Sequence, residues 1–151
     1  MTSLSGSGAF GTLELSPQRP VDRAIAVHEC GHAIVGLLRK LLIINVVLGD
    51  DAGGTIVQGT GEIPTGVLQM LYAGYCAEVE FGIDPAAARR SSRTDLEIAN
   101  LLFPGHSPSI EVAKTRSIVH YHRDVIHRAS QELLTARQLG RDVILKLLED
   151  A

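Results

Sequence analysis

Apolar residues recur along the chain in runs that predict a mainly helical fold. The first run extends from about residue 20 to residue 40, and its apolar positions fall on almost every side of a helix, as in a buried helix. Later helices are predicted over residues 65–81, 92–103, 107–139 and 141–148. The segment 84–93 is predicted to be a loop.

Two short β-branched stretches, residues 43–48 and 55–58, are separated by six residues rich in Gly and Asp. Turn residues between two β patterns are typical of a β-hairpin. The sheet is therefore expected to be one small hairpin beside the first helix, in an otherwise helical protein.

The length of 151 residues is sufficient for one domain with a hydrophobic core. Residues 1–15 are predicted to form a flexible N-terminal segment, because their first part is rich in Gly and Ser, and residues 16–151 to form a single domain. The GxGxxG pattern at residues 6–11 is not interpreted as a nucleotide site, since no predicted strand precedes it.

Charge and apolar content exclude several classes of function. The formal net charge of −3, with lysine and arginine scattered apart from residues 89–93, gives no basic surface for nucleic acid. No apolar run approaches the roughly 18 residues of a membrane span, and the N-terminus lacks the basic start of a signal peptide. Two cysteines, Cys30 and Cys76, fit buried positions of a cytoplasmic protein better than a disulfide framework.

The most informative motif lies within the first helix, at His28-Glu29-Cys30-Gly31-His32. Positions i and i+4 lie one above the other on a helix, so both imidazoles can reach one zinc ion at roughly 2.0–2.1 Å. Glu29 lies about 100° round the helix from His28, too far to be a good ligand but close enough to contact water at the metal. The motif predicts a metallopeptidase site with Glu29 as the general base.

A zinc site with two histidines needs at least one further protein ligand. The sequence offers several carboxylates after the motif: Asp50, Asp51, Glu62, Glu78, Glu80, Asp84, Asp95 and Glu97. Asp50 and Asp51 are explained by the hairpin turn, whereas Glu78 and Asp95 lie in or beside a helix with an apolar face. The residue pattern alone leaves the third ligand open.

Three blocks of the chain resemble, in the same order, the peptidase domain of FtsH-type ATP-dependent zinc proteases. They are Val27-His28-Glu29-Cys30-Gly31-His32-Ala33-Ile34-Val35, Leu71-Tyr72-Ala73-Gly74-Tyr75-Cys76-Ala77-Glu78 and Ser92-Arg93-Thr94-Asp95-Leu96-Glu97-Ile98-Ala99. The second block is similar to the family's Gly-Gly-Arg-x-Ala-Glu-Glu stretch, and the third to its Ser-x-Asp-Leu-x-x-Ala segment. The resemblance covers residues 21–103.

The resemblance implies that Asp95 completes the zinc site with His28 and His32. Glu78 is interpreted as a supporting group that holds a ligating histidine or the Asp95 helix in position. Unlike the family, this chain carries no membrane anchor and no GxxxxGK[ST] nucleotide motif, and Tyr75 replaces the family's arginine. A peptidase domain without its own ATPase is therefore expected, served by a separate unfoldase or adaptor.

The leading hypothesis is a cytoplasmic endopeptidase that uses Zn²⁺ to hydrolyse unfolded or extended polypeptide, bound by edge pairing to the hairpin. Two alternatives stay open: a non-catalytic FtsH-peptidase-like module for interaction or regulation, and a zinc hydrolase acting on a small amide. Three further histidines, His120, His122 and His127, are interpreted as part of a solvated helix face, and His106 as a loop residue without a signal.

Overall fold

Helix α1, Pro20–Leu38, forms the core of the computed structural model, which describes residues 19–59 and 65–151. It begins with Pro20, whose fixed φ and missing N–H suit the first turn of a helix. Residues 26–36 are all buried. The apolar pattern on almost every side of this segment therefore predicted its burial correctly.

The prediction of a mainly helical protein with a small sheet is confirmed. After α1, the described residues contain six further helices: α2 (Gly66–Glu80), α3 (Pro85–Ser91), α4 (Arg93–Leu102), α5 (Pro108–Tyr121), α6 (Arg123–Ala136) and α7 (Arg141–Glu149). The strands are β1 (Ile43–Leu48), β2 (Gly53–Val57) and β3 (Gln138–Gly140).

The sheet has the strand order β2-β1-β3, and both pairings are antiparallel. Strands β1 and β2 form the predicted hairpin, with Val46 opposite Thr55. Strand β3 was not predicted, and it places Leu139 opposite Val46 on the other side of β1. Within the described residues β2 pairs only with β1, so it forms an edge of the sheet.

Small residues allow α1 and α2 to approach closely. A Cβ atom on Gly31 would lie 2.7 Å from Cβ of Ala77 and 2.8 Å from the carbonyl oxygen of Ala73. A larger residue at position 31 would push the two helices apart, which would displace every side chain that they position together.

A smaller group of buried residues holds α4 against α2, and we call it the α2–α4 cluster. Its members are Leu68, Leu71, Tyr72 and Ala99. Only Ala99 comes from α4, so this helix is attached to the domain by much less buried apolar surface than α1.

Two predictions about helix boundaries are wrong. The predicted loop 84–93 contains α3, because the carboxylate of Asp84 accepts a hydrogen bond from the Ala87 N–H at 3.1 Å and Pro85 occupies the first helical position. The single helix predicted over 107–139 is divided at His122, because α5 packs on α2 whereas α6 packs on α1. Arg137, at a φ of 67°, then ends α6 before β3.

Three further predictions concern the N-terminal segment, the cysteines and membrane spans. Both the predicted flexible segment 1–15 and the GxGxxG pattern at 6–11 lie outside the described residues. Cys30 and Cys76 are buried and form no disulfide. Among the described residues, no helix combines the length and the apolar content that crossing a membrane requires.

Candidate metal centre

His28 and His32 face each other from successive turns of the buried part of α1. Their Nε2 atoms are 3.0 Å apart. Asp95, in the first turn of α4, places its Oδ2 atom 3.1 Å from Nε2 of His28 and 3.0 Å from Nε2 of His32. The structure thus brings together the two motif histidines and the aspartate that the resemblance implied.

The hydrogen bonds of the outer ring nitrogens determine what these three atoms can do. Nδ1 of His32 lies 2.6 Å from the Met70 carbonyl oxygen, which can only accept, so this nitrogen carries the hydrogen. Nδ1 of His28 donates in the same way to the carboxylate of Glu78 at 2.6 Å. When both imidazoles are neutral, their Nε2 lone pairs and the Asp95 carboxylate are three acceptors with no hydrogen between them.

A cation satisfies such a set of acceptors. Two imidazole nitrogens and one carboxylate oxygen, with their outer nitrogens already fixed by a carboxylate and a carbonyl, form a donor set that zinc prefers in catalytic sites. The residues present therefore fit the metal that the motif predicts, and the same donors also suit other divalent transition metals.

The charges around His28 favour a positive group at this position. Burial, the largest single influence, lowers the pKa of His28, but hydrogen bonds to Asp95 and Glu78 and the charge of Glu29 together raise it to about 10. Burial raises the pKa of Asp95. The hydrogen bonds and charges of the two histidines lower it by more, so that this pKa lies well below its usual range. A metal ion must therefore displace a proton that the carboxylates stabilise.

Glu78 supports His28 from α2 and is itself supported from α3. Its side chain is 3% exposed, and its Oε1 atom accepts hydrogen bonds from His28 and from the Ser91 hydroxyl, each at 2.6 Å. The role of Ser91 was missed because its segment was predicted to be a loop. Asp84 and Pro85 carry the helix-start signal that could have placed Ser91 on a helix.

Gly74 leaves the space that the His28 ring occupies. A Cβ atom at this position would lie 2.5, 2.6 and 2.7 Å from three ring atoms of His28. Any other residue would displace the imidazole from the site, so the glycine is required by the close approach of α2 to the ring. This contact explains why the second of the three sequence blocks, residues 71–78, has Gly at position 74.

Glu29 lies beside these three candidate ligands and borders a cleft of about 300 Å³ together with His32 and Asp95. The Glu29 side chain is mostly buried, and the Thr55 hydroxyl lies 2.9 Å from both its Oε2 atom and its backbone oxygen, so its one hydrogen is shared between these two acceptors. Thr55 belongs to the edge strand β2, and sequence reasoning assigned it no role. The hydroxyl holds the Glu29 carboxylate at the boundary between α1 and the edge strand.

The remaining histidines lie elsewhere. His120 and His127 are exposed, the first paired with Glu80 at 2.8 Å and the second stacked against Phe81. His106, to which no role was assigned, accepts a hydrogen bond from the Tyr72 hydroxyl at 2.7 Å and so connects the α4–α5 loop to α2. Within residues 19–59 and 65–151, His28, His32 and Asp95 are the only such group of potential metal ligands.

Comparison with known proteins adds no assignment to this geometry. No protein-family model matches the chain, and no curated protein matches it. The site itself and the three sequence blocks are therefore the features of this chain that bear on its function.

Proposed function

We propose that this chain is a zinc-dependent endopeptidase, similar to the peptidase domain of FtsH-type proteases. The observation that carries the proposal is the convergence of His28 and His32 with Asp95, which is 63 residues further along the chain, on the cleft that Glu29 borders. Histidines that merely fill a core need hydrogen-bond partners, but they do not need two inner ring nitrogens and a carboxylate oxygen within 3.1 Å of one another, with a second carboxylate, Glu29, beside them.

In this proposal each polar residue of the site has one task. His28, His32 and Asp95 hold the ion, while Glu78 and the Met70 carbonyl fix the two imidazoles. When bound, zinc supplies Lewis acidity for the scissile carbonyl and lowers the pKa of water at the site toward about 7. Glu29 accepts a proton from the attacking water and passes it to the leaving amine nitrogen, in an orientation supported by Thr55.

In this proposal, strand β2 binds an extended substrate next to these residues. Gly53, Gly54 and Thr55 line the cleft of Glu29 and belong to an edge strand, whose free backbone groups can pair with another chain. Pairing of this kind requires a stretch of unfolded polypeptide and selects little for sequence. We therefore propose unfolded proteins, loops and peptides as substrates, in the cytoplasm, with a separate unfoldase or adaptor for folded proteins.

The test compares hydrolysis by wild-type protein and by Glu29→Gln, both loaded with zinc. An amide keeps the shape of the side chain but not its basicity, so Glu29→Gln should retain about one zinc per chain and lose turnover on the order of 10²-fold or more. Glu132→Gln, on the exposed face of α6, is the matched control. The substrates are one stable protein and the same protein kept unfolded, each with and without ATP.

The proposal predicts cleavage of the unfolded form only, independent of ATP. Unchanged turnover in Glu29→Gln would assign the general base to another group. Equal cleavage of folded and unfolded protein would contradict edge pairing, and no cleavage of either by zinc-loaded wild type would favour the non-catalytic module.

A further inference from the structure

A second cleft, of about 370 Å³, borders the general base. Glu29 and Gly53 line both this cleft and the one beside Asp95, so the two clefts adjoin at these residues. We call the second one the α1–turn cleft, because it lies between α1 and the hairpin turn that connects β1 to β2.

The two walls of the α1–turn cleft differ in chemistry. Val21, Ala24, Ile25 and His28 have the spacing i, i+3, i+4, i+7, so they share one face of α1, which is apolar up to His28. The turn supplies Asp51, Ala52 and Gly53. A Cβ atom on Gly53 would lie 2.7 Å from Cγ2 of Ile25, so the turn backbone closes tightly on the helix at this end.

Carboxylates dominate the charge of this cleft. Glu29, Asp51 and Glu78 line it, and the described lining residues include no lysine or arginine. Arg19 lies 3.8 Å from Asp51 and 3.0 Å from Asp22, so its charge is shared between an exposed and a buried carboxylate and offsets that of Asp51 only in part. His28, the lining group that carries positive charge, is paired with Glu78 at 2.6 Å, so Glu29 and Asp51 leave an excess of negative charge beside the apolar face of α1, and this excess attracts cations.

We propose that the α1–turn cleft is a substrate subsite that binds a lysine or arginine side chain next to the scissile bond. The inference rests on the proposed peptidase function, because a polypeptide paired along β2 passes Gly53 as it leaves Glu29. The apolar face of α1 contacts the methylene stem, while Asp51 at the rim attracts the charged head. An acidic side chain at the same position meets like charges and is rejected.

The test uses peptides that differ at one position beside the cleaved bond, which is lysine, methionine or glutamate. Zinc-loaded wild type should hydrolyse them with kcat/KM in the order lysine, methionine, glutamate. An exposed ion pair contributes up to about fivefold, and charge reversal turns attraction into repulsion, so Asp51→Lys should lower the lysine-to-glutamate ratio about tenfold. Asp51→Asn should give a smaller decrease.

The neighbouring turn residue provides the matched control. Asp50→Lys changes the net charge equally, but Asp50 does not line the cleft, so the ratio should change by less than about twofold. Equal ratios in wild type and Asp51→Lys, or an equal decrease in Asp50→Lys, would overturn the subsite. Thermal unfolding of each variant shows whether it is folded, and Asp51→Asn replaces Asp51→Lys if the latter is not.

A binding measurement separates this inference from the proposed function. Fluorescence anisotropy with a chelator present measures the affinity of each labelled peptide without hydrolysis, and the lysine peptide should bind more tightly in a manner that depends on Asp51. If zinc-loaded protein cleaves no peptide, the peptidase proposal fails. The anisotropy measurement still shows whether the cleft prefers the lysine peptide. If it cleaves all peptides equally and anisotropy shows no preference, only the subsite fails.

Discussion

The two regions that supply the proposed metal ligands are held in different ways. Helix α1 is buried over residues 26–36 and packs against α2, α6 and β1, and the His32 side chain is only 7% exposed. Helix α4 is attached through the α2–α4 cluster, its Leu101 is 78% exposed, and the Asp95 side chain is 24% exposed. The core therefore fixes the histidines, whereas the aspartate depends on a lightly anchored helix.

This difference indicates how the site is organised. Burial on all sides leaves the two imidazoles few alternative positions, so their half of the site is formed before any ion binds. The half that contains α3 and α4 is oriented by polar contacts, through Ser91 to Glu78 and through Asp95 to the histidines. Changes in the α1 half should therefore have larger effects on metal binding than changes in the half that contains α3 and α4.

The largest effect is expected from loss of a histidine. His28→Ala or His32→Ala should abolish the binding of about one zinc per chain, because two ligands cannot hold the ion in competition with solvent. His127→Ala, on the exposed face of α6, is the control and should bind normally. Elemental analysis of purified protein measures the metal, and full occupancy in either α1 variant would refute the site.

Substitutions of Asp95 and Glu78 test whether Asp95, on the weakly attached helix α4, is a zinc ligand. Asp95→Ala should weaken zinc binding as the loss of a ligand does, since it removes the only charged member of the set. Glu78→Ala should cost less, roughly 10–100-fold, because it removes only the support of His28. Competition with a chromophoric chelator gives both affinities, and the reverse order would make Glu78 the third ligand.

Zinc affinity should increase about tenfold per pH unit between pH 7 and 9. The pKa of His28 is raised to about 10, so in metal-free protein this imidazole is protonated throughout that range and must release its proton to the metal. Calorimetry in buffers of different ionisation enthalpy should detect about one proton released per zinc. Affinity that is independent of pH would show that His28 is neutral before metal binds.

The raised pKa of His28 also affects the stability of metal-free protein, which should decrease as the pH increases. Because the folded pKa of His28 lies above its ordinary value of 6.5, the stabilisation by its ion pairs is complete below pH 6.5 and disappears as the pH increases through about 10. The unfolding temperature of metal-free protein should decrease over that interval, and His28→Ala should remove this part of the decrease.

The sequence predicted the α1 half of the site well because its signals are local. The i, i+4 histidines and the apolar surroundings both lie on one helix, and the hairpin has its own turn residues. Strand β3 and the break at His122 have no such signals, since they result from packing against β1 and against two different helices. The position of Asp95 beside the histidines is also tertiary, and only the resemblance pointed to it.

Ser91 gives the smallest predicted effect and the most specific test of the α3–α4 half. Its hydroxyl is one of two donors to the buried Oε1 of the Glu78 carboxylate and supports His28 only through Glu78, so its loss should cost less than the roughly 10–100-fold expected for loss of Glu78 itself, on the order of two- to tenfold in zinc affinity. Ser91→Ala should therefore weaken zinc binding less than Glu78→Ala. Ser117→Ala, whose hydroxyl bonds only to the backbone of its own helix, is the control.

A double variant that combines Ser91→Ala with Glu78→Ala tests whether Ser91 supports the site only through Glu78. If Ser91 acts only through Glu78, the double variant should bind zinc no more weakly than Glu78→Ala alone, because the hydroxyl then has no partner to orient. Additive losses would show instead that Ser91 holds α3, and with it the start of α4 and Asp95, by contacts other than its hydrogen bond to Glu78.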